Sequence, residues 1–159
     1  MGNLKLTSSA FSDGGEIPRE YGYKNGNKVP PLTVSGIPEG TKSLALIMDD
    51  PDAMEPAGKV WVHWVVWNIP SPPYGGIEYT DVILFKIKDQ PGIGEGITDF
   101  GERGYGGPAP PDKKHTYIFK LYALDKTLDL YAETEKVDLE KAMEGHIIEQ
   151  TQLTGTYAP

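Results

Sequence analysis

Short apolar runs alternate along this chain with polar, turn-rich stretches, and the length and period of each run decide which element it predicts. Val60 to Ile69, VWVHWVVWNI, is almost continuously apolar, β-branched or aromatic. Such a run predicts a central strand buried on both faces. Ser43 to Met48 predicts a second strand, running into the acidic cluster Asp49-Asp50-Pro51-Asp52, and Thr116 to Leu124 predicts a third. Shorter strands are expected at residues 4 to 8, Leu32 to Val34, Thr80 to Ile87, and Leu128 to Leu130 after a turn at Asp125-Lys126. A helical period is carried by Leu139, Met143 and Ile147 at i, i+4 and i+8. It predicts a helix from a cap at Asp138 through about Gln150, with an extended tail from Thr151 to Pro159.

Two long polar segments separate these runs. Ser12 to Pro31 bears glycines and a turn signal at Asn25-Gly26, and Gln90 to Pro111 is a glycine-rich loop carrying Asp99, Glu102 and Arg103. Loops of that length are uncommon in compact domains unless they serve a function. Gly92-Ile93-Gly94-Glu95-Gly96 lacks the third glycine and the following helix of a nucleotide loop, so plain loop geometry accounts for it. Trp61, Trp64 and Trp67 recur every third residue, so they cannot share one face of a strand. Strict alternation puts Trp61 on the face of His63 and Trp64 on the other.

Composition narrows the class. The 159 residues fit a single domain, 1–159, and 19 Gly with 14 Pro favour short strands joined by many turns, a mainly β chain. A net charge of −8 argues against nucleic acid and against anionic membrane surfaces, both of which recruit Lys and Arg. No apolar run approaches the roughly 18 to 20 residues of a membrane span, and MGNLKLTSSA lacks a signal-peptide core. The expectation is a cytoplasmic protein without stable membrane association. The absence of cysteine excludes disulfides, thiolate metal sites and a cysteine nucleophile.

The candidate chemistry lies where loops meet strands. GYGGPAPP, Gly104 to Pro111, is stiff and leads to His115 and Tyr117, which leave one face of the following strand. Earlier, a strand ends at Asp50, Asp52 lies just beyond it, and the next strand carries His63 and Trp61. Each has a plain structural reading: a satisfied core histidine, a loop-to-strand junction, a turn with solvated carboxylates. Their joint position favours a site, with a carboxylate beside His63 expected to raise its pKa and favour the cation.

DPDA at Asp50 to Ala53, VHWVVWNIP at Val62 to Pro70, GYGGPAPP, and HTYIFKLYALD at His115 to Asp125 occur in an order that resembles the phosphatidylethanolamine-binding proteins, which include the Raf kinase inhibitor protein. EGHIIEQTQLTGTY, Glu144 to Tyr157, is similar to the end of the short prokaryotic branch. The resemblance spans nearly the whole chain. It implies an antiparallel β-sandwich-like fold with few helices and a shallow pocket for phosphate, phosphorylethanolamine or similar ligands. The pocket it implies comprises Asp50, Asp52, Trp61, His63, Gly107, Pro108, His115 and Tyr117. Met54 replaces a frequent proline, Ala109 a frequent cysteine or proline, and Thr116 a frequent arginine.

These readings together predict a binding protein rather than an enzyme, with no catalytic residue, metal or cofactor assigned. Regulation of a partner kinase or protease is a further expectation. Two alternatives use the same groups: a divalent-metal site from His63, His115, Asp50 and Asp52, or a hydrolase. Neither a Gly-x-Ser-x-Gly nor a Ser-x-x-Lys motif supports the hydrolase.

Overall fold

The computed structural model describes residues 2–71, the backbone of residues 81–83, and residues 92–159. Its strands are β1 (Lys5–Thr7), β2 (Gly15–Glu16), β3 (Thr33–Ser35), β4 (Ser43–Asp50), β5 (Trp61–Pro70), β6 (Asp81–Ile83), β7 (Gly94–Glu95), β8 (His115–Leu124) and β9 (Ile147–Tyr157). Two helices join them, α1 (Met54–Ala57) and α2 (Lys136–Met143), with short 3-10 turns at Arg19–Tyr21 and Pro51–Ala53. The strands form a six-stranded sheet ordered β2-β9-β8-β4-β5-β7 and a three-stranded sheet ordered β1-β3-β6. Pairing is antiparallel except between β2 and β9. This is the mainly β chain expected from composition, in the sandwich-like architecture that the family resemblance implies.

The six-stranded sheet buries both faces. One face packs Leu44, Leu46, Met48, Trp64, Val66, Phe119 and Leu121 against Leu6 and Val34 of the smaller sheet. The other packs Ala45, Ile47, Val65, Trp67 and Leu124 against Leu139 and Met143 of α2. Every residue of β4 is buried, which explains its unbroken apolar run. Each large side chain so removed from water contributes about 1.5 to 3 kcal/mol.

Four expectations are corrected. First, β5 does not alternate strictly. Met48 pairs with Trp64 and Asp49 with Val62, leaving His63 as an extra residue in a β-bulge. The bulge turns His63 and Trp64 to the same side, that of the smaller sheet, where His63 meets Tyr117 and Trp64 meets Tyr105. Second, Leu128 to Leu130 is not a strand. The Leu128 backbone is occupied on both sides by the Asn68 amide, with N–H to Oδ1 and Nδ2 to the carbonyl both at 2.7 Å.

Third, α2 begins before Asp138 and ends at Met143. Asp138 lies in the first turn and accepts the Glu135 N–H at 3.0 Å, so Glu135 holds the cap position. Gly145 takes a left-handed φ of 79°, after which Ile147 joins β9 and is 41% exposed rather than part of a buried stripe. Fourth, the 90–111 loop is interrupted by β7, which pairs with Val66 and Trp67 of β5. The strand expected at Thr80 to Ile87 lies outside the described residues apart from β6. Among the described residues no helix is long and apolar enough to cross a membrane.

Candidate functional site

Three neighbouring strands build the site because their ends coincide. Asp50 is the last residue of β4 and pairs with Trp61, the first of β5. On the other side, the register Asp49 to Ile118, continued by one residue, sets Asp50 across from Tyr117. The side chains of Asp50, Trp61, His63, His115 and Tyr117 line a cavity of about 190 Å³. Ala53, Pro56 and Ala57 from the helical turn after β4 close one side, and Phe100, Ala109 and Pro111 from the long loop close another.

The loop is held against β5 by its own backbone. The Gly106 N–H donates to the His63 carbonyl at 2.9 Å, and the His63 Nδ1–H donates to the Gly106 carbonyl at 2.7 Å. Close packing makes glycine necessary here. A Cβ on Gly106 would lie 2.5 Å from the Phe100 ring, and one on Gly107 would lie 2.0 Å from the Tyr21 carbonyl oxygen. The Gly107 N–H donates to Asn27 Oδ1 at 2.7 Å, and the Pro108 carbonyl accepts the Tyr23 N–H at 2.9 Å. Phe100 is sandwiched in turn, stacked on Tyr23 with centroids 4.1 Å apart and edge-on to Trp61 and His63.

The two histidines of the cavity carry different charges. Both nitrogens of His115 face carboxylates, Nδ1 at 2.5 Å from Asp50 Oδ2 and Nε2 at 2.7 Å from Asp112 Oδ1. Burial disfavours its charge, but the hydrogen bonds to Asp50 and Asp112 outweigh burial and raise its pKa. Both ring nitrogens are placed to donate to a carboxylate, which favours the imidazolium. Asp50 is pushed above the usual carboxylate range by burial, with His115 pulling the other way, and Asp112 is lowered because the His115 hydrogen bond outweighs its desolvation.

His63 behaves oppositely, and this overturns the expected cation. Burial lowers its pKa to about 4, against the raising effect of the Gly106 and Gly107 backbone and the charges of Asp49 and Asp99. Asp50, the carboxylate expected beside His63, reaches His115 instead. With Nδ1–H bound to Gly106, His63 is neutral and keeps its lone pair on Nε2. Tyr117 is fully buried, and its hydroxyl makes no hydrogen bond of good geometry among the described residues, although the Asp50 carboxyl and the Ala109 backbone lie close to it. Burial, then the charge of Asp50, holds its pKa far above that of a free phenol.

This geometry coincides with a match to one family. The model of the phosphatidylethanolamine-binding protein family matches residues 7–158. The chain belongs to the phosphatidylethanolamine-binding protein family. A UPF0098 protein of Methanothermobacter thermautotrophicus is 45% identical over 97% of the chain and 98% of its own length. One from Chlamydia muridarum is 41% identical over 97% and 98%. Among solved structures, the phosphatidylethanolamine-binding protein homologue CT736 of Chlamydia trachomatis superposes with a TM-score of 0.83 at 37% identity, covering 99% of this chain and 98% of that one. YbcL of Escherichia coli, a member of the same family, gives 0.83 at 31% identity with 98% of each chain covered.

Within this family member, the residues singled out from sequence divide into two groups. Asp50, Trp61, His63, His115 and Tyr117 line the cavity. Asp52, Gly107 and Pro108 do not. Asp52 instead accepts the Thr116 N–H at 2.8 Å and donates its own N–H to Asp50 Oδ1 at 2.9 Å, while Gly107 and Pro108 anchor the loop to residues 21–27. Ala109 lines the cavity, Met54 is exposed, and Thr116 leaves β8 on the face opposite His115 and Tyr117. An arginine there would point away from the cavity.

Two residues were missed. Asp112 is the second carboxylate on His115, and its place three residues earlier in the chain was the available signal. Phe100 had none, since its position depends on the fold of a loop. Among the described residues no group of three or more His, Cys, Asp or Glu is placed to hold a metal ion.

Proposed function

We propose that the cavity is a binding site for a small phosphate ester carrying an amine, of the phosphorylethanolamine type, and that the protein acts by binding rather than by catalysis. The observation that carries this reading is the Tyr117 hydroxyl, which is buried near Asp50 and His115 and makes no hydrogen bond of good geometry among the described residues. An unmade buried hydrogen bond costs about 1 to 3 kcal/mol, which a ligand oxygen accepting from that hydroxyl recovers. Family membership supports ligand binding in general, and a cavity of about 190 Å³ suits a headgroup-sized molecule.

Charge selects the zwitterion. His115 lies between Asp50 and Asp112, so the three together carry a net charge of −1, and Asp52 adds a nearby negative charge. A bare anion about 6 Å from one uncompensated carboxylate is opposed by roughly 2 to 3 kcal/mol at an effective dielectric near 20. An ammonium on the same ligand turns that repulsion into attraction, and Trp61 in the cavity wall is of the residue type best suited to a cation–π contact. Among the described residues no Ser, Thr or Cys lines the cavity, which counts against a Ser-, Thr- or Cys-based covalent mechanism. Modulation of a partner protein belongs to this reading as a consequence of ligand occupancy at an accessible rim.

Calorimetry with phosphate, ethanolamine and phosphorylethanolamine tests it. Phosphorylethanolamine is expected to bind at least about tenfold more tightly than phosphate, a difference of about 1.4 kcal/mol. Equal affinities overturn the ammonium half, and absence of binding by any of the three overturns the site.

A further inference from the structure

A second cleft opens across the 108–111 loop from the cavity. Its volume is about 330 Å³, and Ala109 and Pro111 line both spaces, so the loop is their common wall. The far side of the cleft carries two cations, Arg19 and Lys24, beside Asn25, Tyr157 and Pro159. Arg19 lies with its guanidinium carbon 4.3 Å from the centroid of the Tyr157 ring, and its Nη1 donates to the Ala158 carbonyl at 2.6 Å. Tyr157 is itself fixed, donating to the Arg19 carbonyl at 2.9 Å and accepting from Asn25 Nδ2 at 2.6 Å.

A guanidinium held by a ring and a carbonyl loses little rotamer freedom when it binds something else, and it has further N–H donors to offer. Arg19 and the neighbouring Lys24 have no carboxylate within ion-pair distance among the described residues. The shared wall contributes proline rings and a methyl group, which lack donors and present apolar surface. A fixed cation, a second, exposed cation and an apolar wall match an anion carried on an apolar stem.

We propose that this cleft is a second ligand site, for a small organic anion whose carboxylate or phosphate monoester is held by Arg19 and Lys24 while its apolar stem lies on the proline wall. Nothing in this assignment depends on what the first cavity binds. The shared wall makes the two sites neighbours, so a ligand seated in the cleft also perturbs the backbone signals of Ala109.

The test is a titration of the whole chain, followed by amide and arginine Nε–H resonances, with phenyl phosphate, benzoate and inorganic phosphate in separate arms. Saturable shifts of Arg19 Nε–H and the Lys24 and Asn25 amides are expected with phenyl phosphate or benzoate, and weaker binding with inorganic phosphate, which lacks the stem. The arm that binds more tightly identifies the anion. Arg19→Gln is expected to weaken those shifts at least about tenfold, with Arg19→Lys intermediate and the signals of His115 and Tyr117 unchanged. Shifts that fail to saturate in both organic arms, or an undiminished response in Arg19→Gln, overturn the proposal. Should Arg19→Gln fail to fold, Lys24→Gln gives the same reading, with unchanged affinity counting against the site.

Discussion

Asp49 and Asp50 are consecutive, equally buried, and on opposite faces of the same strand. Asp49 faces α2 and accepts from Lys120 at 3.1 Å and Lys136 at 2.8 Å. Asp50 faces the cavity and is bound to His115 and to the Asp52 N–H. The first carboxylate is shared by two lysine ammonium groups. The second meets a histidine whose pKa its carboxylate neighbours raise, close to a buried tyrosine hydroxyl that makes no hydrogen bond of good geometry among the described residues. The same residue type, moved by one position, becomes a structural pin on one face and part of a site on the other.

The comparison is tested most strongly by pH, because the two buried histidines among the described residues, His63 and His115, both lie on the cavity face. His63 is depressed from its ordinary 6.5 to about 4. The unfolded chain therefore binds more protons between those values, and stability is lost as pH falls through that window, by about 3 kcal/mol in all. His115 has the opposite sign. Its raised pKa contributes stability that is fully present below the ordinary histidine value and is lost as pH rises through the raised one. Histidine ring resonances check both directions; a His63 midpoint near 6.5 would refute the assignment of a buried neutral ring.

Next comes Asp49→Ala. Two lysines lose their shared partner, though both reach water, so the loss is expected at the lower end for a broken buried pair, about 2 to 3 kcal/mol. For a chain of this size that lowers Tm by about 5 to 10 °C, with affinity for a cavity ligand unchanged. Asp50→Asn is expected to reverse the pattern. An amide still accepts the Asp52 N–H, so destabilisation is smaller, about 1 to 2 kcal/mol, while His115 loses its main counter-charge and its pKa falls. Thermal melts beside phosphorylethanolamine titrations separate the two variants. A loss of affinity in Asp49→Ala equal to that in Asp50→Asn would erase the distinction between the faces.

Much of this distinction was legible in the sequence, and the part that was not has a common cause. The runs that became β4, β5 and β8 were readable because each is long and its burial matches its pattern. The bulge at His63 was not, since alternation assumes one residue per ladder position and nothing local in VWVHWVV breaks that count. Leu128 is apolar and buried, which reads as strand, yet its backbone bonds go to a side chain 60 residues away. The spacing of Leu139, Met143 and Ile147 carried the helix past Gly145, whose left-handed backbone ends it. At the site, strand residues came together because register follows from pattern, whereas Phe100 and Asp112 sit where only tertiary packing of a loop decides position.

The smallest expected change bears most directly on what the cavity is for. Tyr117→Phe removes a buried hydroxyl that makes no hydrogen bond of good geometry among the described residues, whereas water solvates it in the unfolded chain. Removing such a group relieves its desolvation cost, so the variant is expected to be more stable by about 1 kcal/mol, the reverse of an ordinary core substitution. Ligand affinity is expected to fall by about tenfold, because the oxygen that accepted from Tyr117 is left facing a ring edge. A denaturant midpoint that rises while binding weakens is the signature of a group kept for function at the expense of stability. A lower midpoint would mean that the hydroxyl already has a structural partner, and the cavity face would then differ from the α2 face only in its histidines.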